Sequence, residues 1–192
     1  MRPLLVIPAL SFIGLLACSC GGGNAAATST SRPSAAAPVQ PSSDCAPMPC
    51  TLEDLRAACP PGRVIDVRIE TAGKPAVRAR TTFTRVDAAT AEMEDVALSD
   101  EGSPLGPPKR STARWEELYQ HGCFPADKTV VDHESITIPA GVFDCARYVV
   151  TGSDGTVKTM WFSTKLPGPP VKMTVRKGAD TVMTMTMLPG SG

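Results

Sequence analysis

The chain has 192 residues, 42% hydrophobic and 20% charged, with 19 Lys plus Arg against 19 Asp plus Glu. A formal net charge of zero excludes the clustered cationic surplus of a nucleic-acid binder, and the hydrophobic content excludes a chain disordered from end to end. Nine aromatic residues against 19 Pro and 16 Gly predict an aliphatic core and many loops, and seven Cys point to an oxidising compartment or a metal site.

Residues 1–17 read as a secretory signal. Arg2 supplies one positive charge, and the apolar run from Leu4 to Ala17 is too short to span a bilayer. The run ends in Leu15-Leu16-Ala17-Cys18. This resembles the lipobox of bacterial lipoproteins. The resemblance implies cleavage before Cys18, diacylglycerol on its sulfur, and a stable membrane anchor once two or three acyl chains are present. Ser19 in place of Asp implies, by the rule of enteric-type bacteria, the outer membrane.

Residues 18–44 form the lipidated N-terminus and a tether. Gly21 to Asp44 is Gly, Ala, Ser, Thr, Pro, Gln and Asn with almost no charge (Arg32 and Asp44), and Val39 is its large apolar residue. Such a segment cannot offset its ordering entropy by burial. As a coil it spans roughly 25–30 Å.

Residues 45–192 read as one domain, itself close to neutral, with 17 Lys/Arg and 18 Asp/Glu. Thr51 caps a short helix that Pro60-Pro61-Gly62 stops. Ile65, Val67 and Ile69 alternate with Asp66, Arg68 and Glu70, a half-buried strand. A second strand follows through Val77, Ala79 and Phe83. A third runs from Ala91 to Leu98, with a phase slip around Glu94-Asp95 that predicts a bulge or a strand end. Asp100 to Pro108 reads as a loop, and Ser111 to Gln120 as a helix carrying Trp115, Leu118 and Tyr119. Five further strands are expected near 129–138, 142–151, 156–163, 170–176 and 181–188, separated by Gly- and Pro-rich hairpin turns. The expected fold is α+β: a curved antiparallel sheet of about eight strands with one or two short helices.

The phrase Ile136-Thr137-Ile138-Pro139-Ala140-Gly141-Val142-Phe143-Asp144-Cys145, followed by Met160-Trp161-Phe162 and Pro170-Val171-Lys172, resembles the lipoprotein-carrier-like half-barrels. The resemblance implies a curved sheet that wraps a helix and holds an apolar ligand. It assigns no binding residue.

Five cysteines of the domain are disulfide candidates. Cys123 and Cys145 flank neighbouring segments and are the first expected pair. Cys45, Cys50 and Cys59 surround the first helix, where Cys50–Cys59 and Cys45–Cys59 both remain open. A zinc site would need closer cysteine spacing. There is no Gly-x-Ser-x-Gly turn, His133 lies between two acids on a strand, and His121 neighbours a Cys expected to be bridged. The carboxylate pairs Glu53/Asp54, Glu92 to Asp95, Asp100/Glu101 and Glu116/Glu117 read as solvated faces. No catalytic motif, cofactor or metal site is assigned.

Met173, Met183, Met185 and Met187 fall in period two on the last two strands, and Met160 joins through the strand before them. Three readings are open: an ordinary core, an adaptable wall for an apolar ligand, or thioether binding of copper(I), which from one strand alone needs help from another. The functional expectation is a membrane-anchored envelope lipoprotein that binds a lipid or other apolar molecule. The alternative is a non-enzymatic module with a solid core that binds an envelope protein. Met185→Glu separates the two, and the ligand reading expects the fold to survive while binding of an apolar probe falls.

Overall fold

The computed structural model describes residues 44–191, all within one compact unit, Val39–Gly192. The signal segment, Cys18 and the tether up to residue 43 lie outside the described residues.

Chain order is α1 (Leu52–Ala58), β1 (Val64–Thr71), β2 (Val77–Val86), β3 (Thr90–Ser99), β4 (Lys109–Arg114), α2 (Trp115–Gln120), then β5 (Thr129–Ile138), β6 (Gly141–Thr151), β7 (Thr156–Ser163), β8 (Lys172–Lys177) and β9 (Asp180–Met187). The strands form one open sheet in the order β4-β3-β2-β1-β9-β8-β7-β6-β5. Every pairing is antiparallel. Two sequential meanders are thus joined where β1 meets β9. The antiparallel sheet with two short helices is as expected, but it has nine strands instead of about eight, and the domain is mostly β rather than α+β.

The local signals for α1 act as expected. Thr51 Oγ1 accepts from the Asp54 backbone N–H at 3.0 Å, and the Thr51 N–H donates back to Asp54 Oδ2 at 3.1 Å. This closed capping box satisfies orphan donors of the first turn.

The ninth strand, β4, lies where the sequence reads as the end of a loop and the start of a helix. Its residues, Lys-Arg-Ser-Thr-Ala-Arg, carry almost no apolar signal. An edge strand with one solvated margin needs little hydrophobicity, so periodicity misses it. The second helix is therefore shorter than expected and begins at Trp115. That side chain is 1% exposed, stacks on Phe83 at 6.3 Å and donates its indole N–H to the Asp87 carbonyl at 2.9 Å.

The phase slip at Glu94-Asp95 has a different cause from the one expected. Strand β3 runs unbroken from Thr90 to Ser99, and the irregularity lies on its partner, between Phe83 and Arg85. Ala91 and Met93 are buried on one sheet face. Leu98 is buried on the other, because the 100–108 loop folds back and pairs Pro104 with it. The apolar phase changes because a loop covers the second face at one end.

Candidate functional site

Alternation along each strand and the register between strands sort the side chains onto two faces. On the inner face a single cross-strand row runs Val77, Ile69, Met185, Met173, Met160, Tyr148 and Val131. Met183 and Met187 flank Met185 on β9. Thr184 and Thr186 point to the other face, as their spacing requires. The methionines therefore do share one wall, and three adjacent strands contribute to it.

That wall is closed over most of its length. Met160 and Met187 are 1% exposed and Met185 is 3% exposed. Over β6 and β7 the cover is a strap that begins at Cys45. Ala46 donates its N–H to the Phe124 carbonyl at 2.8 Å, and Tyr148 donates its hydroxyl to the Pro47 carbonyl at 2.6 Å. Ala46, Phe124, Tyr148, Met160 and Phe162 pack as one cluster, with Met173 against it. Tyr148 meets Phe162 edge to face at 5.3 Å. Of the five methionines, Met173 and Met183 are the half-buried ones. Beside Met183 lies an open depression of about 430 Å³, shared with Glu70, Thr71, Ala76 and Thr184.

The cysteine pairing differs from the sequence reading. Cys123 is bonded to Cys45 across 78 residues, not to Cys145. Cys145 is on β6 opposite Glu134, on the outer face, whereas Cys123 ends the segment that covers the inner face. The sheet itself separates them. With Cys45 used in this bond, the Cys45–Cys59 bridge is lost. Cys50, Cys59 and Cys145 are thiols. Cys50 and Cys59 lie beyond opposite ends of α1. The Cys50–Cys59 bridge is likewise not formed.

Burial pushes all three thiols up from their ordinary range. At Cys59 it outweighs the Arg63 guanidinium, whose Nη1 is 3.4 Å from Sγ. These are neutral thiols, not poised nucleophiles. Arg63, 4% exposed, donates to the Ala58 carbonyl at the end of α1 and to the Pro167 carbonyl at 3.0 Å. It ties the helix C-terminus to the β7–β8 connection. Among the described residues no three His, Cys, Asp or Glu side chains converge as a metal site.

The outer face holds a polar network that sequence reasoning passed over as a solvated strand face. Its row reads Asp132, Arg147, Trp161, Lys172, Thr186, Arg68, Arg78 and Leu98. Arg147 grips Asp132 at 2.6 and 2.8 Å and reaches Glu134 at 3.2 Å. The Trp161 indole N–H donates to Glu134 at 2.9 Å, and the Lys172 ammonium lies 5.1 Å from the Trp161 ring centre. One row along, the Asp66 side chain is 6% exposed and accepts from Arg78 at 2.6 Å and Arg80 at 2.7 Å. The available signal was an acid between Ile65 and Val67, facing Arg-x-Arg on the next strand of a hairpin.

Burial pushes the Asp66 carboxyl up, but hydrogen bonds from both guanidinium groups more than offset this and hold it below the usual carboxylate range. A depressed folded value stabilises the fold fully above the unfolded value near ~3.9 and loses that contribution as pH falls through the folded value. Asp66→Asn is therefore expected to cost about 2–3 kcal/mol at neutral pH. This is less than for a sealed pair, because the Arg80 side chain is 44% exposed. Urea unfolding of both proteins at neutral pH and below pH ~3 checks it. The gap should close on acidification, and an equal gap at both pH values would remove Asp66 from the acid limb.

No protein-family model matches the chain, and no curated protein matches it. The solved structure of the hypothetical protein CT021 from Chlamydia trachomatis is similar to it, with 9% identity and a TM-score of 0.44 over 74% of this chain and 94% of that one.

Proposed function

We propose that the chain is an exported bacterial lipoprotein, anchored through Cys18 to the cell envelope at the outer membrane. Its folded domain is a non-enzymatic module that binds an envelope protein. What supports the module reading is the closed inner face. Met160, Met185 and Met187 are each 3% exposed or less, so the wall that a wrapped apolar ligand would need is filled by the protein's own core. The outer face is left for a partner. There Trp161 lies in register between Arg147 and Lys172, is fixed by its hydrogen bond to Glu134 and has the Lys172 ammonium by its ring, and a rigid aromatic flanked by cations is a frequent anchor of protein interfaces.

Native mass spectrometry of the acylated protein, released gently from membrane, tests the module. The expected mass is the chain with its own acyl groups and no further lipid, and a stoichiometric co-purified lipid would overturn the closed-core reading. The anchor has a separate test. Labelled palmitate should enter the wild type and not Cys18→Ser, and an unlabelled wild type would sink it.

A second reading, a carrier of a small apolar molecule, draws on the depression of about 430 Å³ beside Met183. It is shallow and has polar rims at Glu70 and Thr184, a poor fit for a whole acyl chain.

A further inference from the structure

Five of the eight methionines, Met160, Met173, Met183, Met185 and Met187, lie on the inner face of the three adjacent strands β7, β8 and β9. Packing alone does not ask for this. Strand positions on a buried face favour Val and Ile, yet all three inner residues at the end of β9 are unbranched thioethers. The register resolves the difficulty that one strand cannot surround an ion. Met173 is directly opposite Met185 on one side and Met160 on the other, and Met183 is two residues along β9 from Met185. Directly opposed side chains start about 4.5–5.5 Å apart at Cβ, and Met has three rotatable bonds with which to turn its sulfur toward a common point.

We propose that Met173, Met183 and Met185, with Met160 beside them, form a thioether site for a soft monovalent cation, copper(I). Neutral sulfur ligands select this ion over the harder divalent metals. The site spans the border of the core, with Met160 and Met185 sealed within it. Met173 and Met183 are the half-buried members, and Met183 lines the open depression through which an ion can enter. Glu70, whose carboxylate is 2.7 Å from the Arg68 guanidinium, and Lys74 line the same depression, so the thioethers alone are the ligands of the site. The coordination involves no electron transfer and no proton release, because a thioether has no proton to lose.

That last property separates this site from the thiols of Cys50, Cys59 and Cys145, which must deprotonate to bind a metal. The test uses the full chain under anaerobic conditions with ascorbate-reduced copper and a coloured copper(I) chelator as competitor, at about pH 7 and about pH 5. The expected result is one equivalent of copper(I), with affinity changed by less than about threefold between the two pH values. Met173→Leu and Met183→Leu should each weaken it by about tenfold or more. Leu conserves volume, so both variants should melt close to wild type, and Met93→Leu, on the same face near β4, should bind as wild type does. Two results would overturn the proposal: no stoichiometric copper(I), or binding that falls steeply with pH and ignores the Met→Leu changes, which would place the ion on the thiols. Neither outcome bears on the lipid anchor or the closed core, which are tested separately.

Discussion

Met185→Glu is expected to unfold the domain or to lower its melting temperature by roughly 10–15 °C. The side chain is 3% exposed and lies in register between Ile69 and Met173, with no basic partner in its row. An unpaired carboxylate there costs about 3–5 kcal/mol, a large part of the ~5–15 kcal/mol that holds a typical domain together. For a domain of this size each kcal/mol moves the midpoint by about 2–4 °C. The loss should shrink near pH ~4, where the introduced acid becomes neutral. Met185→Leu, which keeps the volume, should cost less than about 1.5 kcal/mol. Thermal melts followed by circular dichroism read all three. This reverses the expectation drawn from the strand pattern, in which the Glu variant folds and only probe binding falls. If the Glu variant melts within about 3 °C of wild type, the wall is open and the ligand reading regains its ground.

Breaking the Cys45–Cys123 bond should be nearly as costly. The bond closes a loop of 78 residues in sequence separation, for which the chain-entropy model gives about 4.5 kcal/mol. A local effect adds to it. The bond fixes the strap whose Ala46 and Pro47 contacts cover Tyr148 and Phe124. Cys45→Ser, or reduction of the wild type, is expected to lower the urea midpoint markedly and to expose the aromatic cluster to a hydrophobic dye. The Cys123→Ser variant should match it, since either change opens the same loop. Removal of Cys145, a thiol on the opposite face, should act only through local packing. Equal midpoints for oxidised and reduced wild type would show that the strap holds without its bond.

These two results divide between what neighbours in sequence decide and what neighbours in space decide. The strands β1, β2 and β5 to β9 were legible because apolar residues at every second position have one physical use, a sheet with one face buried. Thr51 and Asp54 were legible as a helix start because capping involves groups three residues apart. The methionines on one wall followed from alternation alone. The export and anchor readings rest on residues outside the described structure and stay at the level of sequence. Four features needed the tertiary fold. Strand β4 has no apolar signal of its own and exists because β3 offers it an edge. Cys123 takes Cys45 instead of Cys145 because the sheet stands between the latter pair. Asp66 is buried because the β1–β2 register sets it against Arg78 and Arg80, although its strand position reads as solvated. The methionine wall is core at Met160, Met185 and Met187 and open at Met173 and Met183, because cover reaches only part of the inner face. Period and composition report which face a side chain joins. What lies above that face is supplied by segments far away in sequence, and no local pattern encodes it.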